Sequence, residues 1–456
     1  MRDGYLTAHP DAVCVVIPPS AHPARILSSA CILLALQGIG ELPAHAQFSR
    51  PAFRVVTELR SGRGARGVFS GDVNGDGRTD LGTYGPEQIL FHLKEKKGDE
   101  WKTLPVPCDA PVAAAAVGRF NADKIDDLAV LTEHPAGLYI YAGNKRSRIK
   151  RTWQRPVATN RENMLAADIN ADGIDDLLLF GSKELGVTLL LGNRNGEFRE
   201  DTLLFPEFSV NAMTVVDLNI DGLKDFIVSN WISNELLVFS SFGTLKYSEP
   251  LSIRIEEGVR GVATGFIDAD ANPDLAILTA RGTSYLIYTG DGFGSFERSD
   301  TVTLDEPASS FVLTDVNKDR KPDVFFLDAP GGGIRMQMGD STGTFGPPAY
   351  LGGGRNPLMM CTFQEGSPRS TSMALLDEDL STIRIFHNEL AARTTGRDVL
   401  VATGSRPGAI TFADVNHDER PDVVIANKGS RQLSLYLNRG MIPTEVRSRS
   451  ESRRRP

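Results

Sequence analysis

The chain has few of the residues that build disulfide frameworks or histidine-based catalytic sites. Its 456 residues include four Cys and seven His, and the sequence contains no H-x-x-x-H pair and no P-loop. The net charge of −9 at pH 7 disfavours nucleic-acid binding, which requires a basic surface. No apolar run reaches the roughly 20 residues of a transmembrane helix. We therefore expect no catalytic residues, no nucleic-acid partner and no membrane span.

The N-terminal residues have the composition of a secretory signal. Residues 26–39 are largely apolar and follow Arg25, and the tripeptide at 44–46 provides an A-x-A cleavage site. We predict a signal peptide over residues 1–46, and therefore a secreted protein, extracellular or periplasmic. The C-terminal residues 441–456 contain five Arg and are expected to form a disordered basic tail.

Only two cysteines, Cys108 and Cys361, remain after removal of this signal. They lie in distant parts of the chain, so we expect two thiols rather than a disulfide.

An acidic nonapeptide recurs along nearly all of the remaining chain. The eight copies begin at residues 72, 119, 168, 217, 266, 315, 362 and 414, which gives steps of 47, 49, 49, 49, 49, 47 and 52 residues. We number them as the first to the eighth loop. The first, third, fourth, sixth and eighth are intact, as in DVNGDGRTD at 72–80, and the other three are degenerate. A constant period of this length indicates a repeat architecture.

The intact loops have the chemistry of a calcium site. Positions 1, 3, 5 and 9 carry Asp, Asn, Asp and Asp, and Ca²⁺ binds six to eight oxygen ligands. Three carboxylates that converge on one point repel each other unless an ion lies between them, and oxygen-only ligands disfavour zinc and copper. A simple turn is the alternative, since Asp and Asn side chains also bond to nearby backbone. Five copies in phase favour calcium.

The residues that come after the loops exclude an EF-hand. Position 12 is Thr83 in the first loop and Leu179 in the third, where an EF-hand requires Glu. Short apolar runs of strand length come directly after each intact loop, such as LLLF at 177–180.

The rest of each unit predicts an all-β fold. An apolar strand enters each loop, and a buried strand, a polar turn and a third strand follow it. A Gly-rich hairpin that ends in Phe often closes the unit, as at 192–198 and 290–296. Four short strands in a period of 40–50 residues are typical of a propeller blade. The units therefore predict a β-propeller of about eight four-stranded blades over residues 47–440.

These loops and strands resemble the FG-GAP/VCBS repeat family, which includes the propeller head of integrin α chains. The resemblance covers residues 53–438 and implies a Ca²⁺ site in the loop between two strands of each blade. The implied ligands are Asp72, Asn74, Asp76, Asp80, Asp168, Asn170, Asp172, Asp176, Asp217, Asn219, Asp221, Asp225, Asp315, Asn317, Asp319, Asp323, Asp414, Asn416, Asp418 and Asp422.

The degenerate loops depart from this ligand set, so we expect about five calcium sites. Arg119 begins the second loop, where its guanidinium would neutralise the remaining carboxylates in place of a metal. Phe266 begins the fifth loop, so calcium there would be weak. The seventh loop retains only Glu365 and is expected to bind nothing.

Eight units predict eight blades. The chain opens with a strand at Phe53–Leu59, before the first loop, and ends soon after the third strand of the eighth unit. We predict that the opening strand is the outer strand of the last blade, which would close the ring without an exposed edge. Seven blades, with the seventh unit reduced to an insertion, is the alternative.

These features favour a non-catalytic binding or adhesion module at or outside the cell surface. We expect a monomer with a protein or carbohydrate ligand on one propeller face, and Trp101, Trp153 and Trp231 are candidate face residues. A polysaccharide lyase on a calcium-containing propeller is one alternative. A purely structural surface protein stabilised by calcium is another.

Overall fold

The protein is an eight-bladed β-propeller. The computed structural model describes residues 14–16, 51–95, 100–146, 148–158, 161, 163–181, 185–210, 212–230, 233–268, 270–315, 319–328, 333–353, 357–364, 371–386, 399–418 and 420–441. Within these ranges all regular structure is β-strand, in eight antiparallel four-stranded blades. The described chain includes no helix long and apolar enough to cross a membrane.

Each of the first four blades is a sheet whose strands follow one another in sequence. Their bounds are β3 (Gly67–Gly71), β4 (Asp80–Tyr84), β5 (Gln88–Lys94) and β6 (Trp101–Pro107) in blade 1; β7 (Val112–Gly118), β8 (Asp127–Thr132), β9 (Gly137–Ala142) and β10 (Lys150–Pro156) in blade 2; β11 (Asn163–Ala167), β12 (Asp176–Phe180), β13 (Leu185–Gly192) and β14 (Phe198–Ser209) in blade 3; and β15 (Ala212–Val216), β16 (Asp225–Asn230), β17 (Glu235–Phe239) and β20 (Leu251–Arg254) in blade 4. A small hairpin of β18 (Ser241–Gly243) and β19 (Lys246–Tyr247) joins the last two strands of blade 4.

The remaining blades follow the same order, except that blade 8 takes its outer strand from the start of the domain. Their bounds are β21 (Val259–Gly265), β22 (Asp274–Thr279), β23 (Ser284–Gly290) and β24 (Phe296–Thr303) in blade 5; β25 (Ala308–Thr314), β26 (Asp323–Asp328), β27 (Gly333–Gln337) and β28 (Ala349–Gly353) in blade 6; β29 (Pro357–Gln364), β30 (Thr371–Asp377), β31 (Thr382–Phe386) and β32 (Val399–Ala402) in blade 7; and β33 (Pro407–Ala413), β34 (Asp422–Asn427), β35 (Gln432–Met441) and β2 (Pro51–Arg60) in blade 8. The short β1 (Cys14–Val16) pairs antiparallel with β21.

Burial explains the strand pattern within a blade. The second strand has neighbours on both sides and both faces covered, so β12 and β22 are buried at every position and read as continuous apolar runs. The outer strands β6 and β24 alternate half-buried with exposed residues, as expected when one face packs on a neighbouring blade and the other contacts water.

Blade 8 closes the ring as the sequence predicted. Strand β2 pairs antiparallel with β35, with Phe53 opposite Asn438 and Leu59 opposite Leu433. The prediction that Phe53–Leu59 is the outer strand of the last blade is confirmed. The seven-blade alternative is wrong, because the seventh unit builds a complete sheet of its own from β29 to β32.

The hydrophobic core lies between adjacent blades. Phe69 and Phe91 of blade 1 pack with Leu128 and Val130 of blade 2 in one cluster. Another cluster joins Leu81 of blade 1 to the strands of blade 8, so the same type of contact continues across the closure.

The antiparallel order places two kinds of connection on one face of the ring. The loop from strand 1 to strand 2 and the hairpin from strand 3 to strand 4 open on the same side of every blade. We call this side the loop face. The turns from strand 2 to strand 3 and the connections between blades lie on the opposite face.

Candidate metal centres on the loop face

The acidic loops lie where the resemblance placed them. Apart from the seventh loop, whose residues 365–370 lie outside the described chain, each connects the first and second strands of its blade, and position 9 is the first residue of the second strand, as in Asp176 of β12 and Asp422 of β34. Positions 4 and 6 of the third loop are left-handed, with φ of 58° at Ala171 and 84° at Gly173. Glycine is preferred at such positions because it lacks a Cβ, which explains the Gly at position 6 of three intact loops.

The ninth Asp fixes each loop to the end of its blade. In the third loop, Asp176 is completely buried; one oxygen accepts the Ile169 N–H at 3.0 Å and the other accepts the Gly192 N–H at 2.8 Å. Asp225 and Asp422 are held by the equivalent pairs of amides. A buried carboxylate that bonds two strands is therefore a structural element of the repeat.

Positions 1, 3 and 5 turn their oxygens into the loop. In the third loop, Asp168 accepts the N–H groups of Asp172 and Gly173 at 3.1 and 2.9 Å, and Asn170 Oδ1 accepts the Asp172 N–H at 2.9 Å. In the fourth and eighth loops, too, the N–H of the Asp at position 5 donates to the side chains at positions 1 and 3. In the fourth loop, the glycine N–H at position 6 also donates to the Asp at position 1. The side-chain oxygens that would ligate an ion thus share one loop interior with backbone amides.

The first loop has buried oxygens that receive no hydrogen bond. Asn74 and Asp80 are 6% and 1% exposed, and within the described chain Asn74 Oδ1 and Asp80 Oδ2 have no donor in hydrogen-bonding geometry. The Val73 N–H lowers the pKa of Asp80 but does not form a hydrogen bond with Asp80 Oδ2. In the third loop, the equivalent Ile169 N–H does bond to the ninth Asp, Asp176. Asp80 Oδ1 accepts the Lys94 N–H at 2.9 Å. Buried polar atoms are nearly always satisfied, so these two oxygens are available as ligands for a cation.

Burial raises the pKa of the ninth Asp in these loops. Desolvation is the largest cause and raises the pKa to about 7 at Asp80, where the carboxylates of Asp76 and Asp72 add to the rise and the Lys94 N–H opposes it. Desolvation likewise raises the pKa to about 7 at Asp422 and to about 6 at Asp176. A divalent ion would favour the charged carboxylate and reverse this shift.

The fifth loop brings three carboxylates together although it lacks the first Asp. Within the described residues, it is the place where three acidic side chains, those of Asp268, Asp270 and Asp274, have oxygens within 4.8 Å of one another. Asp270 also accepts hydrogen bonds from Asn272. Weak calcium binding in this loop stays a prediction.

The second loop satisfies its polar atoms without a cation. Asp127 accepts the Asn121 side-chain amide at 2.8 Å and the N–H groups of Phe120 and Gly143 at 3.3 and 2.9 Å. The Arg119 guanidinium contacts Asp126 at 3.4 Å. The arginine therefore pairs with position 8 of its own loop.

A link between neighbouring loops was not predicted from the sequence. Asp126 of the second loop accepts the N–H of Asp72 of the first at 2.8 Å, and Asp175 of the third loop accepts the N–H of Arg119 at 2.7 Å. The Asp-Asp doublets at positions 8 and 9 of the second and third loops were the available sequence signal. They connect three consecutive blades on the loop face.

The sixth loop is described in part, and several other predicted residues lie outside the described chain. Asp315 and Asp319 accept backbone N–H groups of their own loop, and Asp323 accepts the Gly339 N–H. Asn317, Trp231, Glu365, the signal peptide apart from residues 14–16, and the tail beyond Met441 lie outside the described residues.

The two described tryptophans differ in position. Trp101 is the first residue of β6, at the loop-face end of that outer strand, and its place on a ligand-binding face stays a prediction. Trp153 lies within the outer strand β10 and is partly buried against the core of blades 2 and 3. Trp153 packs against Phe198 with ring centroids 5.3 Å apart.

Cys108 is a free thiol, and burial raises its pKa to about 11. The side chain of Cys361 is not among those described.

The pentapeptide at 339–343 has the G-x-S-x-G spacing of a nucleophile elbow but not its structure. Such an elbow is a strand-to-helix turn. Here Gly339 pairs with Phe345 across a hairpin, and Asp340 accepts the N–H groups of Thr342 and Thr344. The segment is a β-turn in the third-to-fourth-strand connection of blade 6.

Comparison with known proteins identifies one repeat segment in the chain. Residues 168–228 match the FG-GAP-like repeat model. Among curated proteins, none has significant sequence similarity to this chain. Similar solved structures include BBS1N in complex with ARL6DN (12% identity over 87% of this chain and 99% of that chain, TM-score 0.47). A lectin from Agrocybe aegerita that recognises non-reducing terminal N-acetylglucosamine has 13% identity over 67% of this chain and 80% of its own, with a TM-score of 0.43.

A third similar structure is the periplasmic gluconolactonase PpgL of Pseudomonas aeruginosa, with 13% identity over 72% of this chain and 96% of its own and a TM-score of 0.46. Values this low carry no information on ligand or activity. The chain is therefore an eight-bladed β-propeller in which residues 168–228 form an FG-GAP-like repeat.

Proposed function

We propose that the protein is a secreted, calcium-binding β-propeller that acts as a non-catalytic binding module. The observation that carries the calcium assignment is the pair of buried, donorless oxygens in the first loop, Asn74 Oδ1 and Asp80 Oδ2. Asp72 and Asp76 lie in the same loop, so four oxygen-bearing side chains are available. This donor set suits a hard divalent cation.

In each blade with an intact loop, the ion would hold the first and second strands together at the turn between them. In the intact loops, Asp at positions 1 and 5 and Asn at position 3 belong to the turn, while Asp at position 9 begins the second strand. A cation bound by all four connects the first strand, the turn and the second strand. It also offsets the repulsion between three carboxylates, which is strong in a partly buried site.

A binding role is supported by the shape of the described molecule. The eight blades form a closed ring, and the face of such a ring offers a broad surface, built from the loops between strands, to a protein or carbohydrate ligand.

Thermal unfolding with and without calcium tests the metal assignment. If free Ca²⁺ is tenfold above the dissociation constant, each filled site adds about 1.4 kcal/mol, and five sites add about 7 kcal/mol. We expect a large rise in melting temperature with Ca²⁺ over EGTA, and a smaller one with Mg²⁺, which is bound less readily by flexible oxygen cages. Equal melting curves and no heat of binding in calorimetry would exclude the assignment.

Two further measurements test export and ligand class. The mature protein recovered from the native host should begin at Gln47, and an intact residue 1–46 segment would contradict secretion through this signal. A glycan array with the calcium-loaded protein tests carbohydrate binding, and an absence of binding across a broad array would favour a protein ligand.

A further inference from the structure

Three large apolar side chains protrude from the loop face in two adjacent blades. Ile220 of the fourth loop is 48% exposed, Phe242 of β18 is 67% exposed and Phe293 of the β23–β24 hairpin is 86% exposed. The other strongly exposed large apolar residues of the described chain lie on outer strands or at the opposite face. We call these three residues the apolar tip cluster.

The segments that carry the cluster are in contact. Asp225 accepts the N–H of Leu218 at 2.8 Å and that of Ser241 at 2.7 Å, which holds the fourth loop beside the hairpin of Phe242. Gly294, next to Phe293, lies so close to Ser240 that a Cβ on it would be 2.3 Å from the Ser240 hydroxyl oxygen. The three tips therefore belong to one continuous surface across blades 4 and 5.

The fold does not require apolar residues at these positions. The residues equivalent to Phe293 in the hairpins of blades 3 and 6 are the polar Asn195 and Thr342. In all three hairpins, the N–H of this residue donates to the side chain two residues before it. Ile220 has φ of +58°, a conformation that is rare for β-branched residues. Strained or exposed choices of this kind are typical of functional surfaces.

A cationic sector lies beside the cluster on the same face. It consists of exposed side chains from the second loop, the β9–β10 connection and the β13–β14 hairpin. Its members are Lys124, Lys145, Arg146, Arg148 and Arg194. The Ala122 N–H donates to the Arg194 carbonyl, so the hairpin of blade 3 rests on the second loop. The exposed carboxylates of these three segments are Asp123 and Glu197, and the third loop beside them adds the exposed Asp172. Five exposed cations therefore outnumber three exposed carboxylates, in a chain of net charge −9.

We propose that the loop face binds the surface of an anionic lipid bilayer. The cationic sector would contact the headgroups, and the apolar tip cluster would enter the interface between headgroups and acyl chains. Phe242 lies on the small β18–β19 hairpin and Phe293 on a β-turn, and both are strongly exposed. A fluid interface accepts projecting side chains without a matching pocket. The two sectors occupy blades 2 to 5 in succession on the loop face, so a bilayer that lies against this face would contact both.

Vesicle co-sedimentation of the full chain tests this surface. The probes are phosphatidylcholine vesicles with and without one quarter phosphatidylserine. We expect binding to the anionic vesicles that is at least about tenfold stronger than to the neutral ones. Phe242→Ser with Phe293→Ser, and separately Lys145→Glu with Arg146→Glu, should each weaken that binding by about tenfold or more.

Matched variants control for exposed surface and charge elsewhere. Tyr350→Ser with Leu400→Ser removes two apolar side chains that are 60% and 57% exposed on outer strands. Arg63→Glu with Arg431→Glu reverses two exposed charges on the opposite face. Both double variants should bind vesicles as the unaltered protein does. Since these positions are exposed, melting temperatures should also be unchanged.

Several outcomes would overturn the proposal. These are no binding to the anionic vesicles, binding that is insensitive to both loop-face variants, or self-association in light scattering that the phenylalanine variant abolishes in the absence of vesicles. Each assay is run with Ca²⁺ and with EGTA. Loss of calcium-dependent melting without loss of vesicle binding would reject the calcium sites and leave the lipid surface intact.

Discussion

The first and second loops have the same place in their blades but differ in how their polar atoms are satisfied. In the first loop, Asn74 Oδ1 and Asp80 Oδ2 are buried with no hydrogen-bond donor among the described residues. The Asn at position 3 donates its amide to the ninth Asp in both loops, from Asn74 to Asp80 and from Asn121 to Asp127. In the second loop, however, both oxygens of Asp127 accept hydrogen bonds, including two from backbone N–H groups. One loop fits a cation and the other is complete without one.

This difference separates two roles of the acidic repeat. The ninth Asp joins the loop to the third strand whether or not the other positions suit a metal, since Asp127 and Asp274 of degenerate loops make the same bonds as Asp176. We propose that the residue at the first position decides whether a loop binds a cation. Replacing Asp by Arg119 removes a ligand and supplies a positive charge.

The largest expected effect comes from removing the ninth Asp of the second loop. Asp127→Ala leaves the buried N–H groups of Phe120 and Gly143 and the amide of Asn121 without their acceptor, at a cost of about 1–3 kcal/mol for each such group. We expect a loss of about 3 kcal/mol or more in urea unfolding, equal with and without calcium. Asp123→Ala, at an exposed position, is the control. A loss that appears only with calcium would contradict the structural role.

A buried histidine in blade 1 gives the next largest effect. His92 lies opposite Leu81, at the position that Tyr141 holds in blade 2. Burial is the main cause that lowers its pKa to about 4, against an opposing contribution from the Arg60 backbone. Because the unfolded chain takes up a proton below about pH 6.5 and the folded one does not, stability from this group is present above pH 6.5 and is lost as the pH falls towards 4.

The histidine prediction is checked by unfolding at two pH values. Between pH 7 and pH 5 the contribution of His92 to stability falls by about 2 kcal/mol, at 1.36 kcal/mol per pH unit below 6.5. His92→Gln should remove this dependence. The free energy of unfolding of the unaltered protein, relative to that of the variant, should therefore be lower by about 2 kcal/mol at pH 5 than at pH 7. The same pH dependence in both proteins would show that His92 does not carry it.

The first loop should lose its calcium response when its first ligand is removed. Asp72→Ala is expected to reduce the calcium-dependent stabilisation by about 1.4 kcal/mol at tenfold excess over the dissociation constant. Calorimetry should count one calcium ion fewer. Arg119→Ala is the matched change in the second loop and should leave the calcium count unaltered, so an equal loss in both variants would break the distinction between the loops.

The converse change sharpens the same distinction with a smaller effect. Arg119→Asp restores a carboxylate at position 1 of the second loop, beside Asn121, Asp123 and Asp127. We expect a gain in calcium-dependent stability of up to about 1.4 kcal/mol and one additional ion in calorimetry. If the ion count does not rise, position 1 alone does not decide occupancy.

The smallest effect concerns the Arg119 ion pair. Its Nε lies 3.4 Å from Asp126, and the arginine side chain is 57% exposed. Pairs this accessible to water contribute about 0–1 kcal/mol, so Arg119→Ala should change the free energy of unfolding by less than about 1 kcal/mol, and less still at high salt. A larger, salt-independent loss would show that the arginine has a structural role beyond this contact.

Much of the fold could be predicted because it depends on residues that are close together in the sequence. The period, the buried second strands and the Gly-rich hairpins are set within about 50 residues, and the hydrogen bonds of Asp176 reach only 7 residues back and 16 forward. The outer strand at Phe53–Leu59 could also be inferred, since an open ring would expose sheet edges. The bonds of Asp126 and Asp175 to neighbouring loops could not, because they depend on the spacing between blades.

The sequence by itself determined eight repeated units, their strand order and the oxygen-rich chemistry of five loops, because these follow from residues a few positions apart. The tertiary structure decided which of those oxygens are buried without a donor, that Trp153 packs inside rather than on a face, and that Ile220, Phe242 and Phe293 meet at one surface. The physical reason is that burial and donor access depend on how adjacent blades pack, and residues from different blades come together only when the ring has closed.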